Sequence, residues 1–170
     1  QDEKVGIVQA MLLLANERAL TNNVGNAMHY LGFGFVKHYR ERVDAWYHRP
    51  PFEIGYASGA AMLIKKEVLQ TLTLPSPWKG EGTTYLNPIF FMYHEDLDLC
   101  WRARLAGYKI IIAPQAVVYH RYQFNRNKKM FYLTERNRWA CLLQNYSFMT
   151  LLKLSPILLL VEFAILVYSL

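Results

Sequence analysis

A chain of 170 residues that is 53% hydrophobic and 15% aromatic carries enough core-forming side chains for one folded domain, which excludes a disordered chain. A formal charge of +6 and a pI near 9.3 suit polyanionic company (nucleotide diphosphates, anionic lipid or nucleic acid) without choosing among them. The two cysteines, Cys100 and Cys141, form no CxxC, so a disulfide framework or zinc knuckle is excluded and a reducing compartment is the simpler reading.

No signal peptide is visible, the chain opens at Gln1 and it closes inside an apolar run, so both ends read as cut from something longer. Val5 to Leu14 is apolar and partly β-branched and predicts a buried strand. Residues 21 to 52 mix Asn, Gly, aromatics and charges and predict a long excursion with little regular structure. Ile54 to Ile64 is strand-like, interrupted by small residues from Ala57 to Ala61, and Lys66 to Leu72 predicts a short helix ended by Pro75 and Pro77. After a second loop over 76–88, Ile89 to Tyr93 reads as a short aromatic strand.

From Glu95 to Ala106 the pattern is helical. Leu97, Trp101 and Leu105 share an i, i+4 stripe, acids fill the first turn, and Gly107 stands where a helix end favours a left-handed residue. Lys109 to Ala113 and Ala116 to His120 read as strands around a turn at Pro114, followed by a basic loop from Arg121 to Lys129 that includes Arg126. Helical stretches follow at roughly 128–146 and 149–170. Strands alternating with helices predict an α/β domain.

Pro156 to Leu170 is apolar apart from Glu162. At ~1.5 Å per residue it reaches roughly 22 Å, short of the ~30 Å hydrocarbon core. It reads as an interfacial helix, the start of a span, or a buried core helix.

Chemistry concentrates where the aromatic strand meets the helix. Glu95, Asp96 and Asp98 sit at that junction, and ligands of open α/β sheets bind at strand ends. A carboxylate there can take a proton from a substrate hydroxyl while helix N–H groups favour its charge. The spacing alone equally suits acids complementing the helix dipole, with Asp98 and Arg102 an i, i+4 ion pair.

Beyond the acids, the chain resembles family 2 glycosyltransferases, especially their rhamnosyltransferase-like members. These carry an aromatic strand followed by E-D-x-D-L-x-x-R-x-x-x-x-G-Y, matched here by Glu95, Asp96, Asp98, Leu99, Arg102, Gly107 and Tyr108. The run from Tyr56 to Leu69 is similar to the segment bordering the sugar site, and Pro114, Ala116, Val118 and His120 match a downstream P-x-A-x-V-x-H.

The resemblance implies a GT-A-like mixed sheet with C-terminal helices. Residues 1–127 would be the C-terminal half of the catalytic domain and residues 128–170 a membrane-associated helical tail. It implies inverting transfer from a nucleotide-diphosphate sugar to a saccharide or lipid-linked acceptor, with Asp96 as general base. Glu95, Asp98, Arg102, Ser58 and Gly59 would shape the acceptor side, with Arg102 preferring Asp98 over a phosphate.

His120 would be a ligand of a divalent metal, Mg²⁺ or Mn²⁺, that neutralises the leaving diphosphate. The family's D-x-D and first half have no candidate after Val5, so a complete donor site is not expected in this segment. Glu135, Arg138 and Trp139 echo the Q-x-x-R-W of processive members, with Glu in place of Gln.

The basic loop beside the apolar helices suits anionic headgroups. The expected setting is the cytoplasmic side of the cell membrane, peripheral or anchored by the last helix, with no nucleic-acid partner. Two rivals stand beside this reading: a metal-dependent hydrolase using His94, Glu95, Asp98 and His120, and a non-catalytic membrane or nucleic-acid-binding module.

Overall fold

The computed structural model describes residues 3–72, 85–121 and 127–169. Arg126, noted in the sequence, lies outside them, as do Pro75 and Pro77. The predicted first strand, β1 (Val5–Leu14), is the hub of a five-stranded mixed sheet. One edge pairs in parallel with β7 (Lys109–His120) along most of its length. Its other edge is shared by two antiparallel partners: β6 (Met62–Ile64), through Ile7 opposite Ile64, and β2 (Thr21–Asn23), through Leu12 opposite Asn23. The far side of β7 pairs antiparallel with β5 (Phe52–Glu53).

Pro114 interrupts β7 less than expected. Ala113 lies opposite Ala10 and Val117 opposite Met11, so Pro114, Gln115 and Ala116 form a bulge within one continuous strand. A bulge is where a sheet tolerates a residue lacking an N–H.

Residues 21–52 also hold more structure than their composition suggests. Besides β2 they contain the hairpin of β3 (Asn26–Met28) with β4 (Gly34–Val36) and the short helix α1 (Asp44–Tyr47). Strands of three residues are too short for an alternating pattern to show. Conversely, only Met62–Ile64 of the strand-like run 54–64 is extended in the sheet. Its small residues instead bring the backbone against the next long helix, where the Ala57 N–H donates to Cys100 Sγ at 3.3 Å.

Helix α2 (Lys66–Thr71) falls where predicted, as does α3 (Glu95–Leu105), which Gly107 ends at φ +88°. The stripe on α3 needed correction, because Leu105 is 66% exposed. This helix is packed on two sides. Leu99, Cys100 and Ala103 join Ile7, Ile110 and Ile112 in the core beneath the sheet, while Leu97 and Trp101 meet Cys141, Leu142 and Leu158 of the C-terminal helices. Both cysteines are buried free thiols.

The C-terminal helices are α4 (Lys128–Asn145) and α5 (Phe148–Ser169). Pro156 lies inside α5, within the helix expected over roughly 149–170, and the full helix has 22 residues and spans ~33 Å at 1.5 Å per residue. Proline removes the N–H that would satisfy the Leu152 carbonyl. Ser155 replaces it, its hydroxyl donating to that carbonyl at 2.8 Å. Over Phe148–Tyr168 the mean hydropathy is 2.1 and only 6% is buried, so α5 is long and apolar enough to cross a membrane.

Candidate active site

Ile89–Tyr93 is not a strand, and the difference creates the site. Pro88–Phe90 forms a single 3-10 turn, started by the Asn87 side chain accepting from the Ile89 N–H at 3.1 Å. Phe91, Tyr93 and His94 then take positive φ values of 56°, 70° and 66°. Such residues strain the backbone by ~1–3 kcal/mol each unless their surroundings enforce it. Here the enforcing group comes from α4. Fully buried Asn137 donates through Nδ2 to the carbonyls of Phe90 (2.9 Å), Met92 (2.7 Å) and Tyr93 (2.7 Å). Its own carbonyl oxygen accepts from Arg136, whose guanidinium also reaches the carbonyls of Ile89 and Phe90.

The turn delivers the acids at the head of α3 into a cavity of about 440 Å³. Asp96, Glu95 and His94 line it from the helix start, Tyr56 and Ser58 from the loop before β6, Asn23 and Asn26 from the sheet edge, and Met130 and Thr134 from α4. The Asp96 carboxylate is half-buried. Its Oδ2 accepts from the Gly59 N–H at 2.9 Å and its Oδ1 from the Leu97 N–H at 2.7 Å. Burial raises its pKa from the usual carboxylate value to about 6, with the Gly59 hydrogen bond opposing and the charge of Glu95 adding to the rise. A carboxyl group with that affinity for protons, facing a cavity, suits general-base work near neutral pH. Burial also raises the Tyr56 phenol, helped by the Asp96 charge.

A buried polar network holds the opposite wall. Gln9, on β1, donates to Asn23 Oδ1 at 3.0 Å and accepts from the Ser58 N–H at 2.7 Å. Asn23 in turn donates to Asn26 at 2.6 Å.

Residues 1–141 match the family model described as Glycosyltransferase like family 2. The chain belongs to that family. Membership carries a GT-A-like fold, which agrees with the mixed α/β sheet and its C-terminal helices. It makes the protein a glycosyltransferase, binding a nucleotide sugar and an acceptor. No curated protein matches the chain.

Of the site residues expected for this glycosyltransferase, Asp96, Glu95 and Ser58 line the cavity together, and Gly59 touches it through its bond to Asp96. A Cβ at Gly59 would lie 3.6 Å from Asp96 Cβ, ordinary contact, so the protein's own packing does not demand glycine there. Asp98 and Arg102 lie outside the lining. Asp98 is fully buried, accepting from Arg102 Nε at 2.9 Å and from Asn145 Nδ2 at 2.9 Å. Arg102 also donates to the Leu72 and Tyr85 carbonyls at 2.9 Å each, joining two distant loop ends to α3.

His120 ends β7, its Nδ1 2.9 Å from Asn22 Oδ1. Among the described residues no three His, Cys, Asp or Glu side chains gather to hold a metal ion. The hydrolase alternative loses its ligand set for the same reason.

Sequence reasoning gave His94 a role only in the hydrolase alternative and passed over Asn23, Asn26 and Asn137. The asparagines at 22, 23 and 26 gave no separate signal, because Asn is common in turns and loops whatever their role. Replacing Asn137 by Ala removes the donors that hold three carbonyls of the strained turn. We expect kcat for sugar transfer to fall at least tenfold and the melting temperature to drop by several degrees, read by steady-state kinetics and calorimetry, as unsatisfied buried groups cost ~1–3 kcal/mol each. An unchanged kcat would show that the turn holds itself.

Proposed function

We propose that this glycosyltransferase inverts configuration, with Asp96 as the general base. The observation that carries the proposal is the Asp96 carboxylate lining the cavity with its pKa raised to about 6. In the reaction, the acceptor hydroxyl oxygen attacks the anomeric carbon of the donor sugar and passes its proton to Asp96. The bond to the diphosphate breaks on the opposite face, and nucleoside diphosphate leaves with the electron pair. A sugar hydroxyl is too weak an acid to ionise first, so proton transfer accompanies attack. Gly59 and Leu97 N–H groups hold the carboxylate's direction, and Glu95 binds the acceptor beside it. The donor class is hexosyl, with rhamnosyl transfer the family-level lean.

The acceptor is a saccharide, free or lipid-linked, and α5 brings the enzyme to the cytoplasmic face of the membrane. Supporting this, Leu159, Leu160, Phe163, Leu166 and Val167 of α5 are exposed, and Lys128, Lys129 and Lys153 add positive charge on the same helices.

The stereochemistry of the product tests the mechanism. With an α-configured nucleotide sugar as donor, proton NMR of the product should show a β-glycoside. A product of retained configuration would exclude a single displacement assisted by one base.

A further inference from the structure

Side chains alternate along β1, so Ile7, Gln9 and Met11 share one face, and all three are fully buried. The neighbours of Gln9 on that face are apolar, and an apolar residue would fill its space equally well. A buried amide has given up its water, a cost that only well-made hydrogen bonds offset. Gln9 makes them at both corners of the amide. Its Oε1 accepts from the Ser58 N–H at 2.7 Å and its Nε2 donates to Asn23 Oδ1 at 3.0 Å.

Backbone donors fix the direction of this relay. A peptide N–H only donates, so the Ser58 N–H requires the oxygen of Gln9 and leaves the NH2 for Asn23. At the far end the Gly25 N–H donates to the same Asn23 Oδ1 at 2.7 Å, which turns the Asn23 NH2 to Asn26. Flipping either amide would set donor against donor.

The loop that Gln9 grips is the one that holds Asp96. Three successive N–H groups leave it for separate partners: Ala57 for Cys100 Sγ at 3.3 Å, Ser58 for Gln9, and Gly59 for Asp96 Oδ2 at 2.9 Å. The Ser58 and Gly59 N–H groups belong to adjacent peptide planes, separated by the two torsions of Ser58 alone. Fixing the first plane therefore restricts the aim of the second. Beyond Gly59, the Ala60 N–H turns back to Ser58 Oγ and the Ala61 N–H to the Ser58 carbonyl, both at 3.3 Å, so the placement of Ser58 governs the whole turn.

Resting on the reading of Asp96 as base, we propose that Gln9 is a positioning residue for the reaction: by fixing the Ser58 peptide it aims the Gly59 N–H at Asp96 and so sets the direction of the carboxylate that takes the acceptor's proton. Gln9 acts through Ser58 and Gly59, without touching the substrate. The same side chain ties the Asp96 side of the cavity to the wall formed by Asn23 and Asn26. Because the Gly59 bond favours the ionised carboxylate, loosening it leaves Asp96 holding its proton to a higher pH. The other ionisable groups facing the cavity, His94 and Glu95 at the head of α3, Tyr93 in the turn and Tyr56 in the loop, are unaltered by a change at Gln9.

The test is Gln9→Met in the intact enzyme, since methionine matches the length of glutamine and the apolar company of Ile7 and Met11. Two readouts are followed against pH. The amide proton of Gly59, in protein labelled with glycine-15N, reports the ionisation of Asp96 by NMR whether or not that group is the base. Steady-state transfer gives kcat and KM. In the wild type both should turn over near pH 6. In Gln9→Met the Gly59 midpoint and the acid limb of the rate should both lie about half a pH unit or more higher. At pH 6, kcat should fall about tenfold while KM for the nucleotide sugar changes less than about twofold. A purely structural role would lower the melting temperature and leave the midpoint in place.

Gln9→Glu in its protonated form can accept from Ser58 and donate to Asn23, and should return the midpoint most of the way to that of the wild type. Asn23→Ala cuts the relay on the other side of Gln9 and should shift the midpoint in the same sense, which keeps the test open if Gln9→Met does not fold. A Gly59 resonance that titrates at the wild-type pH in these disrupted variants overturns the proposal, as does a loss of activity carried wholly by KM. A Gly59 midpoint that moves without the rate profile sinks the base assignment and leaves the hold of Gln9 on the loop standing.

Discussion

Asp96→Asn is expected to reduce kcat for sugar transfer by about 10²- to 10⁴-fold, the range a positioned base contributes, while nucleotide-sugar affinity changes little. Asparagine keeps the shape and can still accept from the Gly59 N–H, so the loss isolates the proton-accepting function. In the wild type, kcat/KM should fall tenfold per pH unit below about 6, because the base works only when ionised and its carboxyl holds its proton up to about that pH.

Stability should move the other way. A carboxyl raised from 3.8 to about 6 binds a proton more tightly folded than unfolded, so between those pH values the fold loses stability as pH rises. A shift of about two units corresponds to ~3 kcal/mol at most above pH 6. The asparagine variant escapes that cost and should melt higher than wild type at pH 7.5, with the difference gone or reversed at pH 4. Near-normal turnover of the variant would remove Asp96 from the reaction, and identical melting curves at pH 7.5 would deny that its ionisation opposes folding.

Arg138→Met is expected to be the most destabilising substitution in the C-terminal helices. Arg138 is fully buried. It donates to Glu135 Oε2 at 2.8 Å and to the Leu31 carbonyl at 3.1 Å, pairs with Glu162 on α5, and lies over the Phe33 ring at 4.5 Å. Removing one partner of a buried ion pair typically costs ~3–5 kcal/mol, because the remaining charge loses its compensation. For a protein of this size that is a drop of about 10 °C in melting temperature. Replacing the pair together, as Arg138→Met with Glu162→Leu, should recover part of the loss, the remainder reflecting Glu135 and the Leu31 carbonyl, which stay without their donor. A shift of only a degree or two in the single variant, measured by scanning calorimetry in mild detergent, would show that this pair does not dock α5.

What could be read from the residues alone was whatever is local in the chain. The strand from Val5 to Leu14, helix α3 with its first-turn acids and its glycine stop, the Asp98–Arg102 pair and the later helices all express short-range periodicity or spacing. Failures came where distant segments decide. Aromatic residues at 89–93 favour a strand by intrinsic preference, but Asn137 and Arg136, more than forty positions later, bend them into a turn. His94 adopts a left-handed conformation that its residue type only weakly signals, and its unused nitrogen becomes visible only once the cavity around it exists. Arg138 carried just a partial motif in sequence, and its burial depends on the 31–33 loop and on a helix that begins ten residues later.

Successive residues of α4 serve separate clients: Asn137 grips the turn that carries Asp96, and Arg138 grips α5. One helix therefore sets the separation between Asp96, the proposed proton acceptor, and the exposed apolar surface of the last helix. An enzyme resting on lipid through that surface would hold its reactive carboxyl at a constant height above the bilayer. On the proposed membrane-resting arrangement, only acceptors whose hydroxyl protrudes to that height would be used, and the helix would act as a gauge of how far a substrate stands out from its anchor.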